Sequence, residues 1–563
     1  MKPICTDNPT YAYLAREGYA YVDKTDILLS LIREKMGSQF FLSRPRRFGK
    51  SLMISVLKCI FEGRKELFAD TFIGLSDYDW PVYPVIHLDL SLAVASTPED
   101  LQRALNALVG SLSARCGAPF DKANVPSVNF TALIEHLVTT TPHRQVVVLI
   151  DEYDAPVNGF INDPEKMTAF RDVMHQFFLV VKARVADIRF LMATGVTRFT
   201  KISLFSCLNN PTDLTMDARA ARLCGYTPEE METFLHDNIQ AFADAKGWTY
   251  AETFQKLLDW YDSYRFSPDS DIRVCNPVSL GKALTTHVLM NYWESTGLAS
   301  SAVMKIRANR EIISDWNGME VDRTQLDTAG EPEVPLVALL FQTGYLTIQD
   351  AFEEGTVTLK VPNYEVLDSI NKGSMSQWLH EMGNIDTVAE AKRTRRTLIA
   401  KGMDFVLEKS LMACYSRIPY EWVCKDEAEA KRFFQLYCHF LGAKVKGGHE
   451  SHLGRADAVL ELPNGVYLFE FKYAKSSEEA LKQIDERGYA DAYKDDARPV
   501  WKIGCNYNPE TRNLDKPVIV REVWKGRARR EEGRGPTSSL QPPRSSFSMM
   551  RDETSTFSCS SSN

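Results

Sequence analysis

The chain of 563 residues carries 66 Lys+Arg against 74 Asp+Glu, a formal net charge of -8, and 44% hydrophobic residues. One hydrophobic core rarely extends past about 250–300 residues, so two to four domains are expected, and this composition excludes a mostly disordered, collagenous or fibrous chain. No apolar run approaches the ~18 residues of a membrane span, so no membrane partner is expected, and the mild acidity argues against a uniformly basic nucleic-acid binder while leaving room for a local basic groove.

The opening MKPICTDNPTYAYLAREGYAYV has no basic stretch followed by an apolar one, so no secretory signal is expected. The 11 cysteines are scattered, odd in number and without a C-x-x-C pair, which suits a reducing compartment and a cytoplasmic protein. Over the first ~215 residues, strand-like runs at 38–45, 82–90, 145–150 and 187–195 alternate with helical stretches. Helical spacing is clear at 50–61, with Leu52, Val56, Leu57 and Ile60 on one face. The pattern predicts β–α units and a mostly parallel sheet, with ligand sites at the carboxyl ends of its strands.

From Thr227 the pattern turns helical, opening on a capping box with Glu230. A second helix is expected over 276–293, and the aromatic stretch Trp260, Tyr261, Tyr264 and Phe266 between them reads as core rather than a base-stacking platform. A helix over 333–345, ending at Gly344, precedes two alternating runs around Glu354 and Gly355, a hairpin signal. Helix then hairpin admits a winged-helix module or a plain connector. Residues 383–410 are polar, with the basic run Lys392–Arg396 read as a solvated helix face. Beyond about Ser416, an amphipathic helix at 426–440 leads to strands at 456–462 and 465–473 joined by Pro463 and Asn464, a helical stretch at 477–493 and a strand at 499–507. The last residues are rich in Arg, Gly, Pro and Ser, cannot bury a core and should be disordered.

Two constellations carry chemistry. The first is Arg44-Pro-Arg-Arg-Phe-Gly49-Lys50-Ser51, after a strand and opening a helix, the context of a P-loop whose first glycine is here Arg44. Gly49 lets backbone N–H groups turn towards phosphate, Lys50 meets the β/γ charge, and the Ser51 hydroxyl suits Mg²⁺. Arg46, Arg47, Phe48, Gly49, Lys50 and Ser51 are thus the candidate phosphate-binding run for ATP. About 100 residues on, VVVLIDEYDAP sets Asp151 and Glu152 just past an apolar strand. Alone that pair reads as a helix cap on a solvated loop. With the G-K-S loop it reads as Asp151 holding Mg²⁺ and Glu152 orienting the attacking water. Thr194, after another strand, would face the γ-phosphate, and Arg198 would sense or stabilise its charge unless it is only a surface ion pair.

The second constellation is Gly454-Arg455-Ala456-Asp457, then Glu470-Phe471-Lys472 thirteen residues after the Asp. Glu470 and Lys472 are two apart on a strand and share a face. Antiparallel pairing can bring Asp457 beside Glu470. Two such carboxylates repel unless a cation lies between them, and two hard oxygen ligands suit Mg²⁺. Lys472 could then position the attacking water, and Gln483 on the following helix could contact phosphate or the metal water. The bland alternative is a surface hairpin with ordinary charge alternation. Glu427, Glu429 and Glu450 are candidates for a further acid, with the helix register unresolved. His449 and His452 have no third ligand at zinc spacing and read as loop histidines.

Taken together, YVDKT (21–25), SRPRRFGKS (43–51), LIDEYDAP (149–156), TGVTRFTKISLFSCLNN (194–210), WYDSYRFSP (260–268), NPVSL (276–280), FQTGYLTI (341–348) and VPNYEV (361–366) resemble the bacterial AAA-ATPase-like family that carries a restriction-like nuclease domain at its C-terminus. GRADAVLEL, LFEFKYAKSSEEALKQI and YADAY match that PD-(D/E)XK domain. The resemblance covers about residues 5–525 and implies a multi-domain α/β protein. Its expected parts are a P-loop ATPase core (1–215), a helical lid (216–300), a connector with or without a winged-helix hairpin (301–410), a restriction-endonuclease-like α/β domain (411–525) and a tail (526–563). It also implies that Arg44 belongs to the family's own form of the loop. The functional expectation is ATP binding coupled to Mg²⁺-dependent cleavage of nucleic acid. The alternative is a nucleotide-dependent switch or scaffold whose nuclease-like domain binds nucleic acid or protein without cutting. Assembly into a homo-oligomer stays open.

Overall fold

A computed structural model describes residues 1–34, 37–160, 163–198, 211–293, 318–327, 335–370, 397, 427, 444–446, 450–451, 454–462, 465–494, 496 and 498–522. The chain forms two compact units, 1–391 and 392–563.

The first unit is built on a parallel sheet of β1 (Gln39–Ser43), β2 (Val85–Asp89), β3 (Val146–Asp151), β4 (Ile188–Gly195) and the short β5 (Thr212–Asp213), in the order β2-β3-β4-β1-β5. The inner strands β1, β3 and β4 are mostly apolar and buried because both faces are covered, whereas β2, at the edge, alternates between buried and half-buried residues. Period-two alternation then divides them between two layers. Phe40, Leu42, Val147, Leu149, Phe190 and Met192 face one core, with helices α1 (Tyr11–Arg16), α2 (Thr25–Arg33) and α3 (Lys50–Phe61). Phe41, Val146, Val148, Ile150, Leu191 and Ala193 face the other, with α4 (Pro98–Cys116), α5 (Pro126–Thr140) and α6 (Pro164–Ala183).

Four helices follow: α7 (Pro228–Phe234), α8 (His236–Lys246), α9 (Tyr250–Tyr261) and α10 (Pro277–Thr286). They bury their own apolar cluster, which also takes in Val22. The capping box of Thr227 and Glu230 opens α7. The helix expected over 276–293 stops early, at His287, whose φ is 52°. The chain beyond is held by other partners: the Tyr261 hydroxyl bonds the backbone of Met290, and Glu365 accepts the amides of Tyr292 and Trp293 at 2.7 and 3.0 Å. Next come β6 (Met319–Asp322), α11 (Leu336–Thr343), β7 (Thr347–Ala351) and β8 (Thr356–Lys360), the three strands forming an antiparallel sheet ordered β6-β8-β7. Leu339, Tyr345, Ile348 and Leu359 share one core with β1 and α3. This stretch, expected as a connector, is therefore packed into the first unit.

The second unit is a six-stranded mixed sheet. β9 (Lys444–Lys446), β12 (Ala458–Leu462), β13 (Gly465–Tyr473), β14 (Val500–Asn508) and β15 (Asn513–Leu514) run in that order, and β16 (Val518–Arg521) joins β14. The short β10 (Glu450–Ser451) and β11 (Gly454–Arg455) pair with each other. Among the described strands of this unit only β13 and β14 are parallel, joined through α12 (Ser477–Glu486). The helical stretch expected to reach 493 breaks at Gly488 and finishes as a 3-10 turn, Tyr489–Tyr493. Apart from Thr397 and Glu427, the helices expected at 383–410 and 426–440, and all of the tail beyond 522, lie outside the described residues.

Candidate nucleotide and nuclease sites

The carboxyl ends of β1 and β3 meet at one edge of the parallel sheet, as β–α units dictate. β1 feeds a loop in which Arg47 and Gly49 both take left-handed backbone, φ 70° and 88°, and Gly49 caps α3. Arg46, Arg47, Phe48, Gly49, Lys50, Ser51, Asp151 and Glu152 all line a cavity of about 1110 Å³. Lys50 is 3% exposed. Its Nζ donates to the carbonyls of Arg44 and Pro45 at 3.1 and 3.2 Å and lies 3.6 Å from Glu152 Oε1. Glu152 itself has φ 50°, a strained setting of the kind that costs roughly 1–3 kcal/mol and collects at functional sites. Lys50 draws its carboxyl down, but burial and the neighbouring Asp154 and Asp151 outweigh that and leave it above its ordinary value.

The departure at Arg44 has a structural account. Its guanidinium is fully buried, donates to the carbonyls of Ser43, Thr215 and Ala220 at 2.9, 2.6 and 3.0 Å, and stands 4.4 Å over the Phe266 ring. Phe266 and Tyr264 also pack edge-on against Phe48. The Phe48 ring thus serves the core, and its backbone lies at the loop. Burial pushes the Arg44 guanidinium down to about 10, so it remains charged at neutral pH. A side chain that anchors the loop entrance to two later segments replaces the freedom a glycine would have given.

Thr194 stands behind Asp151, its hydroxyl donating to Oδ1 at 2.6 Å, while the Glu152 amide reaches the same oxygen at 3.1 Å. Asp154 was not singled out from the sequence. Its buried carboxylate accepts the amides of Val196 and Thr197 and the Thr197 hydroxyl, which locks the turn after β4 to the DEYD segment. Arg198 is a correction to the expected γ-phosphate contact. It does not line the cavity. Its guanidinium is drawn to Asp213 and, at 2.9 Å, to Asp327, while its amide donates to Gln342 Oε1 at 2.8 Å. Asp213, 15 residues on, and Asp327, 129 residues on, hold it against β5 and the segment before α11.

In the second unit, β12 and β13 pair with Ala458 opposite Phe469, which sets Asp457 beside Glu470. Asp457 Oδ2 accepts the Phe471 amide at 2.8 Å. Glu470 and Lys472 are 2% and 9% exposed, with Lys472 Nζ 3.4 Å from Glu470 Oε1. Gln483 on α12 donates to that same oxygen. Gly504, opposite Glu470 on β14, makes this possible. A Cβ there would come within 2.1 Å of the Ser477 carbonyl, so only glycine lets α12 lie this close to the strand. Of the candidate further acids, Glu427 meets the site: its Oε1 lies 3.5 Å from Lys472 Nζ. Glu429, His449 and His452 lie outside the described residues, and of Glu450 only the backbone, in β10, is described. Among the described residues no three His, Cys, Asp or Glu groups gather at metal-ligand spacing. The donor set here is two carboxylates, hard oxygen ligands of the type that suits a partly hydrated Mg²⁺.

Residues 3–205 match the family model of predicted AAA-ATPases, and residues 425–517 match that of the PD-(D/E)XK nuclease superfamily. An uncharacterized protein from the vnfD 5' region of Azotobacter chroococcum mcd 1 is 30% identical over 517 residues, spanning 89% of this chain and 95% of the relative. No helix among the described residues is long and apolar enough to cross a membrane. The chain belongs to the family of predicted AAA-ATPases that carry a PD-(D/E)XK nuclease superfamily domain at the C-terminus.

Proposed function

We propose that the first unit binds and hydrolyses ATP, that the second cleaves phosphodiester bonds in nucleic acid with Mg²⁺, and that nucleotide state governs the cut. The observation that carries the nuclease reading is the Asp457, Glu470 and Lys472 set, with Gln483 and Glu427 closing on it from outside the hairpin. A mere surface hairpin would leave its charges in water. Here Glu470 is 2% exposed, a costly burial for a charge without compensating chemistry. Asp457 and Glu470 would hold Mg²⁺, which when bound polarises the scissile phosphate and lowers the pKa of water. Lys472, held between Glu470 and Glu427, orients that water towards phosphorus. Gln483 fixes the Glu470 carboxylate, and its remaining amide proton faces either the water or a phosphate oxygen.

At the nucleotide site the loop amides and Lys50 receive the phosphates, with Lys50 exchanging its loop carbonyls for phosphate oxygens. Ser51 and Asp151 would hold the accompanying Mg²⁺. Thr194 fixes Asp151 Oδ1, leaving Oδ2 for that role. Glu152, with its carboxyl raised, is placed to orient and deprotonate water. Helices α7 to α10 act as the lid, since Leu235 and Pro277 face the same cavity as the loop. The test is cleavage of labelled DNA and RNA with Mg²⁺ beside nucleotide binding. Asp457→Ala should abolish cutting and leave ATP binding intact, and Lys50→Ala should weaken ATP binding by about 30-fold or more, the loss of charged hydrogen bonds. Cutting that survives Asp457→Ala would sink the nuclease assignment.

A further inference from the structure

The YVDKT segment is used by neither chemistry above, yet Tyr21, Val22 and Lys24 form part of the wall of the nucleotide cavity. Its polar residues are fully engaged. Asp23 accepts the amides of Thr25 and Phe72 at 2.9 and 2.6 Å, and the Thr25 hydroxyl accepts the Ile73 amide at 3.0 Å. These bonds tie the segment to the sheet-bearing part of the unit. Lys24 points the other way. It is 7% exposed, and its ammonium pairs with Glu230, 206 residues later, at the start of α7.

Glu230 is a shared partner. It completes the capping box with Thr227 and takes Arg222 Nη1 at 3.0 Å, while Arg222 also reaches Asp26 on α2. Two cations and two carboxylates therefore bridge α2 and α7. The stretch between Arg222 and Glu230 contributes Leu223, Cys224, Gly225 and Tyr226 to the same cavity wall. Lys24 is therefore neutralised within the protein, whereas Lys50 is braced mainly by carbonyls that a phosphate can replace. Burial pulls the Lys24 ammonium below its ordinary value and Glu230 opposes that pull.

We infer that the Lys24–Glu230 pair is a latch that positions helices α7 to α10 over the bound nucleotide, setting affinity for it without touching its phosphates. This rests on the nucleotide-binding reading above. Lys24 and Glu230 are positioning residues: if the latch is lost, a smaller fraction of the protein holds the closed cavity, and every nucleotide that needs that cavity binds more weakly by the same factor.

The test is calorimetric titration of the full chain with ATP and with ADP, each with Mg²⁺. In Lys24→Met, Glu230 keeps Arg222 and the Thr227 amide, so no buried carboxylate is stranded. Its affinities for ATP and ADP should fall together, by about tenfold if a tenth of the molecules stay closed, and Lys24→Arg should recover most of the loss. Without nucleotide, N-ethylmaleimide should modify the buried Cys224 faster in Lys24→Met than in the wild type, read peptide by peptide by mass spectrometry. If Lys24→Met fails to fold, Glu230→Gln keeps the shape and the cap and gives the same two readouts. Unchanged affinities with unchanged Cys224 labelling would overturn the latch. So would a loss that falls on ATP alone, because Lys24 would then be a phosphate ligand. A wild-type protein that binds neither nucleotide marks failure of the underlying reading, whereas a wild type that binds beside a Lys24→Met that binds equally marks failure of the latch.

Discussion

Lys50 and Lys472 are both buried and both stand beside a carboxylate, at 3.6 Å from Glu152 and 3.4 Å from Glu470, but the two sites are assembled in opposite ways. The nucleotide site gathers residues from the ends of different strands. Lys50 leans on loop carbonyls, and the loop is itself anchored by Arg44 to segments about 170 residues away. The nuclease site is mostly one hairpin, with its two acids and its lysine on β13 and the turn before β12, and among the described residues Gln483 and Glu427 arrive from outside. Distant substitutions should therefore damage the first site. Strand register and the fit of one helix should decide the second.

That contrast can be broken at four points. The largest effect is expected from Asp457→Asn, which removes a charge proposed to hold Mg²⁺ and should lower cleavage by about 10³-fold or more, with nucleotide binding measured in parallel unchanged. Next, Arg44→Met strips donors from three buried carbonyls and should destabilise the first unit by about 3 kcal/mol in a urea titration. The transition of the second unit should stay where it is, and a shift there instead would refute the division of labour.

The third is a pH effect confined to the first unit. Burial pushes the Glu365 carboxyl up to about 7, with the amides of Tyr292 and Trp293 pulling it back down. The folded protein thus holds a proton that the unfolded chain releases near 4.5. Stability contributed by this group is present at low pH and is lost as pH rises from about 4.5 through about 7. Glu365→Gln should flatten that slope, by at most roughly 3 kcal/mol across the window, as read from unfolding midpoints at several pH values. The smallest effect is expected from Gly504→Ala, whose methyl meets the Ser477 carbonyl. It should cost about 2 kcal/mol by overpacking and slow cleavage by loosening Gln483 from Glu470.

Much of this was legible in the sequence wherever the signal was local. The helix Lys50–Phe61 appears with the ends its apolar spacing and G-K-S entrance indicated. The strands that carry Asp151, Thr194 and Glu470 fall within a residue or two of their apolar runs, and the Thr227 capping box forms as spaced. What was not legible depends on partners far along the chain. That Arg44 stands where a P-loop has its first glycine was visible, but not that its guanidinium is received by the carbonyls of Thr215 and Ala220. Arg198 reads as a phosphate sensor until Asp213 and Asp327 claim it. Glu427 could not be singled out from Glu429 and Glu450, because its approach to Lys472 joins segments that are remote in sequence. Helix α10 ends before its periodicity does because Tyr261 and Glu365 capture the backbone beyond it.

The central claim is that a nucleotide site and a metal-dependent nuclease site work in one chain, the first governing the second. The most direct measurement is cleavage of labelled DNA and RNA by the full chain with Mg²⁺, with and without ATP, beside Lys50→Ala and Asp457→Ala. The account predicts cleavage that requires Asp457 and changes with ATP in the wild type but not in Lys50→Ala. Cleavage that ignores both ATP and Lys50, or no Asp457-dependent cleavage under any of these conditions, would contradict it.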